Sequence, residues 1–171
     1  MPRKKTKKET IEILDLLNDQ HPDAHCELVH SSAFELLVAT ILSAQCTDVR
    51  VNIVTEEMFK KYNQPQDFKD LSIGQIEEMI KTCGLYKSKA KKIKETSSLV
   101  DLYGGQVPDN LEDLVKLPGV GRKTAGVVLS NAFGVPAIAV DTHVFRVSNR
   151  IGIVKESTPE KTEFALMKAI P

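Results

Sequence analysis

An all-α fold is what these 171 residues predict, and three observations predict it. Apolar residues recur every three or four positions through most of the chain, the spacing of one buried helical face. Helix-starting signatures such as Ser32 with Glu35 and Ser72 with Gln75 punctuate it at short intervals. No stretch alternates apolar and polar residues for the length of a strand, and no Asn-Gly or Asp-Gly hairpin turn occurs.

The elements follow in order. Met1 to Lys8 carries Arg3, Lys4, Lys5, Lys7 and Lys8 and is expected to be a solvated, mobile basic arm. From Thr10, residues Ile11, Ile13, Leu14, Leu16 and Leu17 share a face, giving a first helix that ends near His21-Pro22. Ser32 and Glu35 form a capping box that opens a helix apolar nearly all round, which places it in the core. Thr47 or Asp48 caps the next helix, with Pro65 in the connection after it. Ser72 opens a short helix whose left-handed C-terminal residue is expected to be Gly84. Ser88 is expected to cap a longer run with Ala90, Ile93, Ser97, Val100 and Tyr103 as its buried stripe, closed by Gly104-Gly105. Pro108-Asp109-Asn110 starts Leu111 to Leu117, Arg122 to Phe133 follows, Asp141-Thr142 caps a helix through Ile151, and Ser157 with Glu160 opens the last. That last helix bears Phe164, Leu166, Met167 and Ile170, more apolar surface than the preceding segments obviously cover, unless the first helix does so. The chain therefore looks cut short at Pro171.

Lys plus Arg is 23 and Asp plus Glu is 23, so any attraction to a polyanion must come from a local patch. No apolar run approaches the ~20 residues of a membrane span and no secretory signal opens the chain, which together point to a cytoplasmic protein without a membrane partner. Cys26, Cys46 and Cys83 are widely spaced, giving neither a disulfide framework nor a metal-ligand spacing. Buried free thiols are the plain reading.

Chemistry concentrates in Leu117-Pro-Gly-Val-Gly-Arg-Lys-Thr-Ala125, a Gly-x-Gly turn between two helices. Gly119 and Gly121 permit positive φ and close approach, so backbone amides around Gly119, Val120, Gly121 and Arg122 can meet a phosphate at a helix N-terminus. Lys123 stands in that first helical turn, where the dipole and Arg122 both disfavour a cation, a placement that suits a nucleophilic amine or, more plainly, a second phosphate contact. Asp141 is the only carboxylate between Leu114 and Lys155, among six cations. It can stabilise positive charge on a sugar ring, or simply cap the helix that follows.

These segments, with Ile138-Ala-Val-Asp-Thr-His-Val-Phe-Arg-Val147, Leu42-Ser-Ala-Gln-Cys-Thr-Asp48 and Gly84-Leu-Tyr-Lys-Ser-Lys-Ala90, resemble the endonuclease III family of helix-hairpin-helix DNA glycosylases and abasic-site lyases. The likeness covers nearly the whole chain. It implies that Lys123 attacks the sugar C1′ and that Asp141 assists. It also implies that Gln45 fills the gap left by an everted nucleotide, with Leu85 wedging the opposite strand. Lys87, among Lys81, Lys89, Lys91, Lys92 and Lys94, falls in a run without an acid that fits a DNA face, although such a run is more often just solvated.

By the same resemblance, residues 25–135 form a six-helix domain with the helix-hairpin-helix at about 111–133, and residues 1–24 and 136–171 form an incomplete second lobe. The family's [4Fe-4S] cluster is held by four closely spaced cysteines near the C-terminus, expected here beyond Pro171; no metal site is expected within these residues. The implied substrate is double-stranded DNA carrying a damaged pyrimidine or an abasic site, and the implied full-length state is a monomer. A glycosylase using water instead of lysine, or a non-catalytic DNA-binding fragment, are the alternatives. Without the remaining segment, weak or no lyase activity is expected of these residues, because displacing Asp141 by about 1 Å can cost ~100-fold in rate.

Overall fold

The computed structural model describes residues 3–171, and the part of the basic arm formed by Met1 and Pro2 lies outside them. Among the described residues there are ten helices and no strand: α1 (Lys7–Gln20), α2 (Ala33–Ser43), α3 (Asp48–Phe59), α4 (Pro65–Asp70), α5 (Ile73–Ile80), α6 (Tyr86–Leu102), α7 (Leu111–Leu114), α8 (Arg122–Ala132), α9 (Thr142–Ile151) and α10 (Pro159–Ala169). None is long and apolar enough to cross a membrane. The chain divides into two compact units, one of Cys26–Pro136 and one of Met1–His25 with Ala137–Pro171.

In the Cys26–Pro136 unit, α2 is the central rod. Phe34 through Leu42 are all buried, as a helix apolar on every side requires. Its start differs from the expected box in one detail. Ser32 Oγ accepts the Glu35 N–H, but the Glu35 carboxylate reaches Ser31, accepting from its N–H at 2.6 Å and its hydroxyl at 2.8 Å. Helix α6 packs on α2, α4 and α5 through Ala90, Ile93, Ser97 and Val100, whereas Tyr103 is exposed beyond the last turn. Pro65 does not sit in a bare connection. It is the first residue of α4, where its fixed φ suits a helix start, and α4 delivers Phe68 to the core against Phe34 and Tyr62. Helix α7 is shorter than the expected Leu111 to Leu117, ending at Leu114 before Pro118.

In the other unit, Val140, Ile153, Val154 and Leu166 form a small core to which α1 contributes Ile13, α10 contributes Ala165 and Ala169, and the residue after α10 contributes Ile170. The first helix therefore covers part of the last, while Phe164 and Met167 remain about half exposed. The arm before α1 is also more ordered than a solvated tail. Thr6 and Glu9 make a reciprocal capping box, Arg3 grips both Glu9 oxygens, and the Lys5 N–H donates to the Gly152 carbonyl at 2.8 Å. This box starts α1 three residues earlier than the apolar periodicity suggests. In α10 the capping side chain is Thr158, not Ser157, with Pro159 as first residue.

Candidate functional site

The hairpin between α7 and α8 is built around one left-handed residue. Gly119 has φ +82, and a Cβ there would lie 3.0 Å from Lys92 Cδ and 3.3 Å from Lys92 Cβ. Gly121 differs from the expectation of two forced glycines. It is extended backbone at φ −91 and ψ 177, with open space where a Cβ would go, and it serves as the N-cap of α8. The Val120 N–H turns inward to the Leu117 carbonyl at 3.1 Å, so it closes the turn and is not offered outward. Leu117 and Val120 are buried and anchor the loop from below. From above, α6 holds it: Thr96 Oγ1 donates to the Pro118 carbonyl at 2.8 Å and the Lys92 stem lies across Gly119.

Helix α8 opens without a capping side chain and without an acid in its first turn, so no side chain of its own first turn offsets its positive dipole end. Arg122 and Lys123 occupy the first two helical positions, and Lys123 is exposed.

A second pair of segments in the same unit ends α2 and opens α6. Gln45 at φ +52 and Leu85 at φ +58 are the two non-glycine residues with positive φ among those described, and both are exposed, Leu85 by 58%. A left-handed L-residue costs roughly 1–2 kcal/mol, so each is held there by its surroundings. Gly84 is not the left-handed terminator expected of it; Leu85 is, as the N-cap of α6, and Ser88 lies inside that helix. What Gly84 supplies is closeness. A Cβ on it would sit 3.0 Å from the Gln45 carbonyl oxygen, so the two strained segments lie directly against each other. Lys89 locks them from beneath, its side chain buried and its Nζ donating to the Leu42 carbonyl at 2.8 Å. Burial shifts this ammonium below its ordinary range.

The lysine run is thus not one solvated face. Lys89 is buried, Lys94 donates to the Lys69 and Leu71 carbonyls, and Lys81 and Lys91 pair with Glu78 and Glu95. Lys87 and Lys92 remain exposed, with no ion pair to a described residue. Sequence spacing pointed to Lys87; the position of Lys92 over the hairpin had no sequence signal.

Asp141 belongs to the other unit, where it is the N-cap of α9. Its Oδ1 accepts the Val144 N–H at 2.7 Å, and the side chain is half-buried. The capping role considered for it is therefore occupied by one carboxylate oxygen.

Neither the three cysteines nor any other set of three His, Cys, Asp or Glu residues among those described converges on a point where a metal could be held. The residues present do not fit a [4Fe-4S] cluster, which needs four thiolates.

Residues 38–171 match the model of the HhH-GPD superfamily base excision DNA repair proteins. Endonuclease III of Bacillus subtilis (strain 168) is 55% identical over 161 residues, spanning 92% of this chain and 73% of that protein. Two solved structures, a non-covalent endonuclease III–DNA complex and a trapped endonuclease III–DNA covalent intermediate, are each 50% identical. Each superposes with a TM-score of 0.92 over 98% of this chain and 79% of its own.

Proposed function

Because the chain belongs to the HhH-GPD superfamily of base excision DNA repair proteins, and within it to the endonuclease III family, we propose that it excises oxidised pyrimidines from duplex DNA and cleaves the abasic strand through Lys123. The observation that carries this reading is the opening of α8: an exposed lysine in the first turn of a helix with no capping side chain, directly after a turn built on a left-handed glycine.

Each group then has a task. The turn and the α8 dipole take a backbone phosphate, with Lys92 and Lys87 adding charge. Such contacts fix register without reading sequence. A base stacked in a duplex cannot be reached, so the nucleotide must be everted at a cost of a few kcal/mol. Gln45 and Leu85 fill and wedge the space it leaves. Their strained backbones support this, because unfavourable φ values persist where a side chain must be presented outward.

Chemistry follows at the sugar. The Lys123 amine attacks C1′ as the C1′–base bond breaks, a proton shed by the amine passes to the departing base, and Asp141 stabilises the positive charge that develops on the ring. Ring opening gives an imine between Lys123 and C1′. The imine acidifies the C2′ proton, whose loss expels the 3′ phosphate and breaks the strand. No step requires a metal. Such an enzyme works where the chromosome is, which in bacteria is the cytoplasm.

The test is strand cleavage on a duplex containing one oxidised pyrimidine or one abasic site. Cleavage above the enzyme-free background, slow by the expectation for these residues, should come from the wild-type chain and none from Lys123→Gln, with abasic-duplex binding retained by both. Cleavage by the variant at the wild-type rate would assign the nucleophile elsewhere.

A further inference from the structure

The segments that present Gln45 and Leu85 also bring two thiols together. Cys46 follows Gln45 directly, and Cys83 precedes Gly84 and Leu85. The backbones touch at Gly84 and the Gln45 carbonyl. Cys83 is buried, Cys46 is half-buried, both are free, and Cys46 lies near enough to Cys83 to help hold its thiol proton on. Cysteines adjoining two backbones in contact are placed where an S–S bond, which needs Cα atoms within about 7 Å, can join them. Lys89 and Arg50 lie near enough to favour a thiolate at this place, whereas burial, together with Cys46, holds the Cys83 thiol up at about 11. Cys26 lies in neither segment.

We propose that Cys46 and Cys83 are a peroxide-responsive thiol pair, whose disulfide ties the Gln45 and Leu85 segments together and keeps them from entering a duplex. The second half rests on the function proposed above. Half-burial makes Cys46 the sulfur that hydrogen peroxide reaches first. Its thiolate attacks one peroxide oxygen, an S–O bond forms as the O–O bond breaks, and the hydroxide released takes up the thiol proton to leave as water. The Cys83 sulfur then attacks the Cys46 sulfenic acid, the S–S bond forms as the S–O bond breaks, and a second water carries away the Cys83 proton. Two sulfurs are oxidised and one peroxide is reduced. The cross-link joins residues on either side of the wedge pair, whose left-handed backbones leave little room to adjust.

The experiment uses the full chain with Cys26→Ser as parent. After hydrogen peroxide, intact mass is expected to fall by two hydrogens, both remaining thiols to become unreactive, and peptide mapping to join Cys46 to Cys83. Affinity for an abasic duplex should fall by about tenfold or more, part of the cost of holding a nucleotide everted, and dithiothreitol should restore it. Cys46→Ser and, independently, Cys83→Ala should bind as the reduced parent does and ignore peroxide. Retention of both thiols, a cross-link with unchanged affinity, or equal loss in Cys46→Ser would each overturn the proposal. Failure of the reduced parent to bind the abasic duplex would overturn the functional reading instead, since the cross-link is read by mass without DNA.

Discussion

Alanine at Gly119 should destabilise the protein and alanine at Gly121 should not, although the two glycines look equivalent in the Gly-x-Gly pattern. At Gly119 the φ of +82 costs an L-residue roughly 1–2 kcal/mol. The new methyl also meets Lys92 at 3.0 Å from Cδ and 3.3 Å from Cβ. The flexible Cδ can swing away, but Cβ is fixed to α6 and must yield by a few tenths of an ångström. Overpacking of this kind costs about 1 kcal/mol or more, and the stiffer unfolded chain returns about 0.4–1 kcal/mol. The net expectation for Gly119→Ala is a loss of about 1–3 kcal/mol. At Gly121 the backbone is extended and nothing stands within 4 Å of the added methyl. There the unfolded-state gain is offset by replacing a tolerated N-cap with a poor one, leaving a change within about 0.5 kcal/mol. Urea unfolding followed by circular dichroism reads both, with hydrogen exchange of the α8 amides as a local measure. Equal losses at the two positions, or a stable Gly119→Ala, would refute the account of the turn.

Three further outcomes are expected. Lys92→Gln should reduce the slope of log affinity against log salt by about 0.9 on any duplex, the loss of one phosphate contact, with thermal stability unchanged; an unaltered slope would remove Lys92 from the interface. Leu85→Gly should relieve left-handed strain, leaving stability unchanged or raised by up to about 1 kcal/mol, while weakening abasic-duplex binding; loss of both together would mean Leu85 serves only the fold. The Arg3 guanidinium, followed by the Thr6 cap, holds the Glu9 carboxyl well below its usual 4.5, at about 2. A depressed carboxyl stabilises the fold above its unfolded value and ceases to do so as pH falls through the folded one, so the start of α1 should stay protected at pH 4 and fray towards pH 2. An NMR titration of Glu9 with an ordinary midpoint would contradict this.

What the sequence made legible was whatever is written in local pattern. The all-round apolar run of α2, the hairpin, the capping position of Asp141 and the stop signal at Gly104 all depend on neighbours within a few residues. Two kinds of feature escaped. The left-handed φ of Leu85 was assigned to Gly84 because glycine is the default for that conformation. Here the glycine is instead needed for its missing Cβ against the Gln45 carbonyl, a contact between segments far apart in sequence. The burial of Lys89 escaped for the same reason, since its partner is a carbonyl 47 residues away. A cation in a basic run looks solvated until the unpaired acceptor at the end of α2 is seen. The order of the arm before α1 is invisible to apolar periodicity because its helix turn is made by the polar side chains of Thr6, Glu9 and Arg3.

The central claim is that Lys123 forms a covalent imine with the sugar. Borohydride reduces an imine to a stable amine, so the chain incubated with an abasic duplex and borohydride should yield a cross-linked species on a denaturing gel. Peptide mapping should place the sugar on Lys123, and Lys123→Gln should yield none while still shifting the duplex in a native gel. A cross-link of undiminished yield in Lys123→Gln, or one mapped to Lys92 or Lys87, would contradict it.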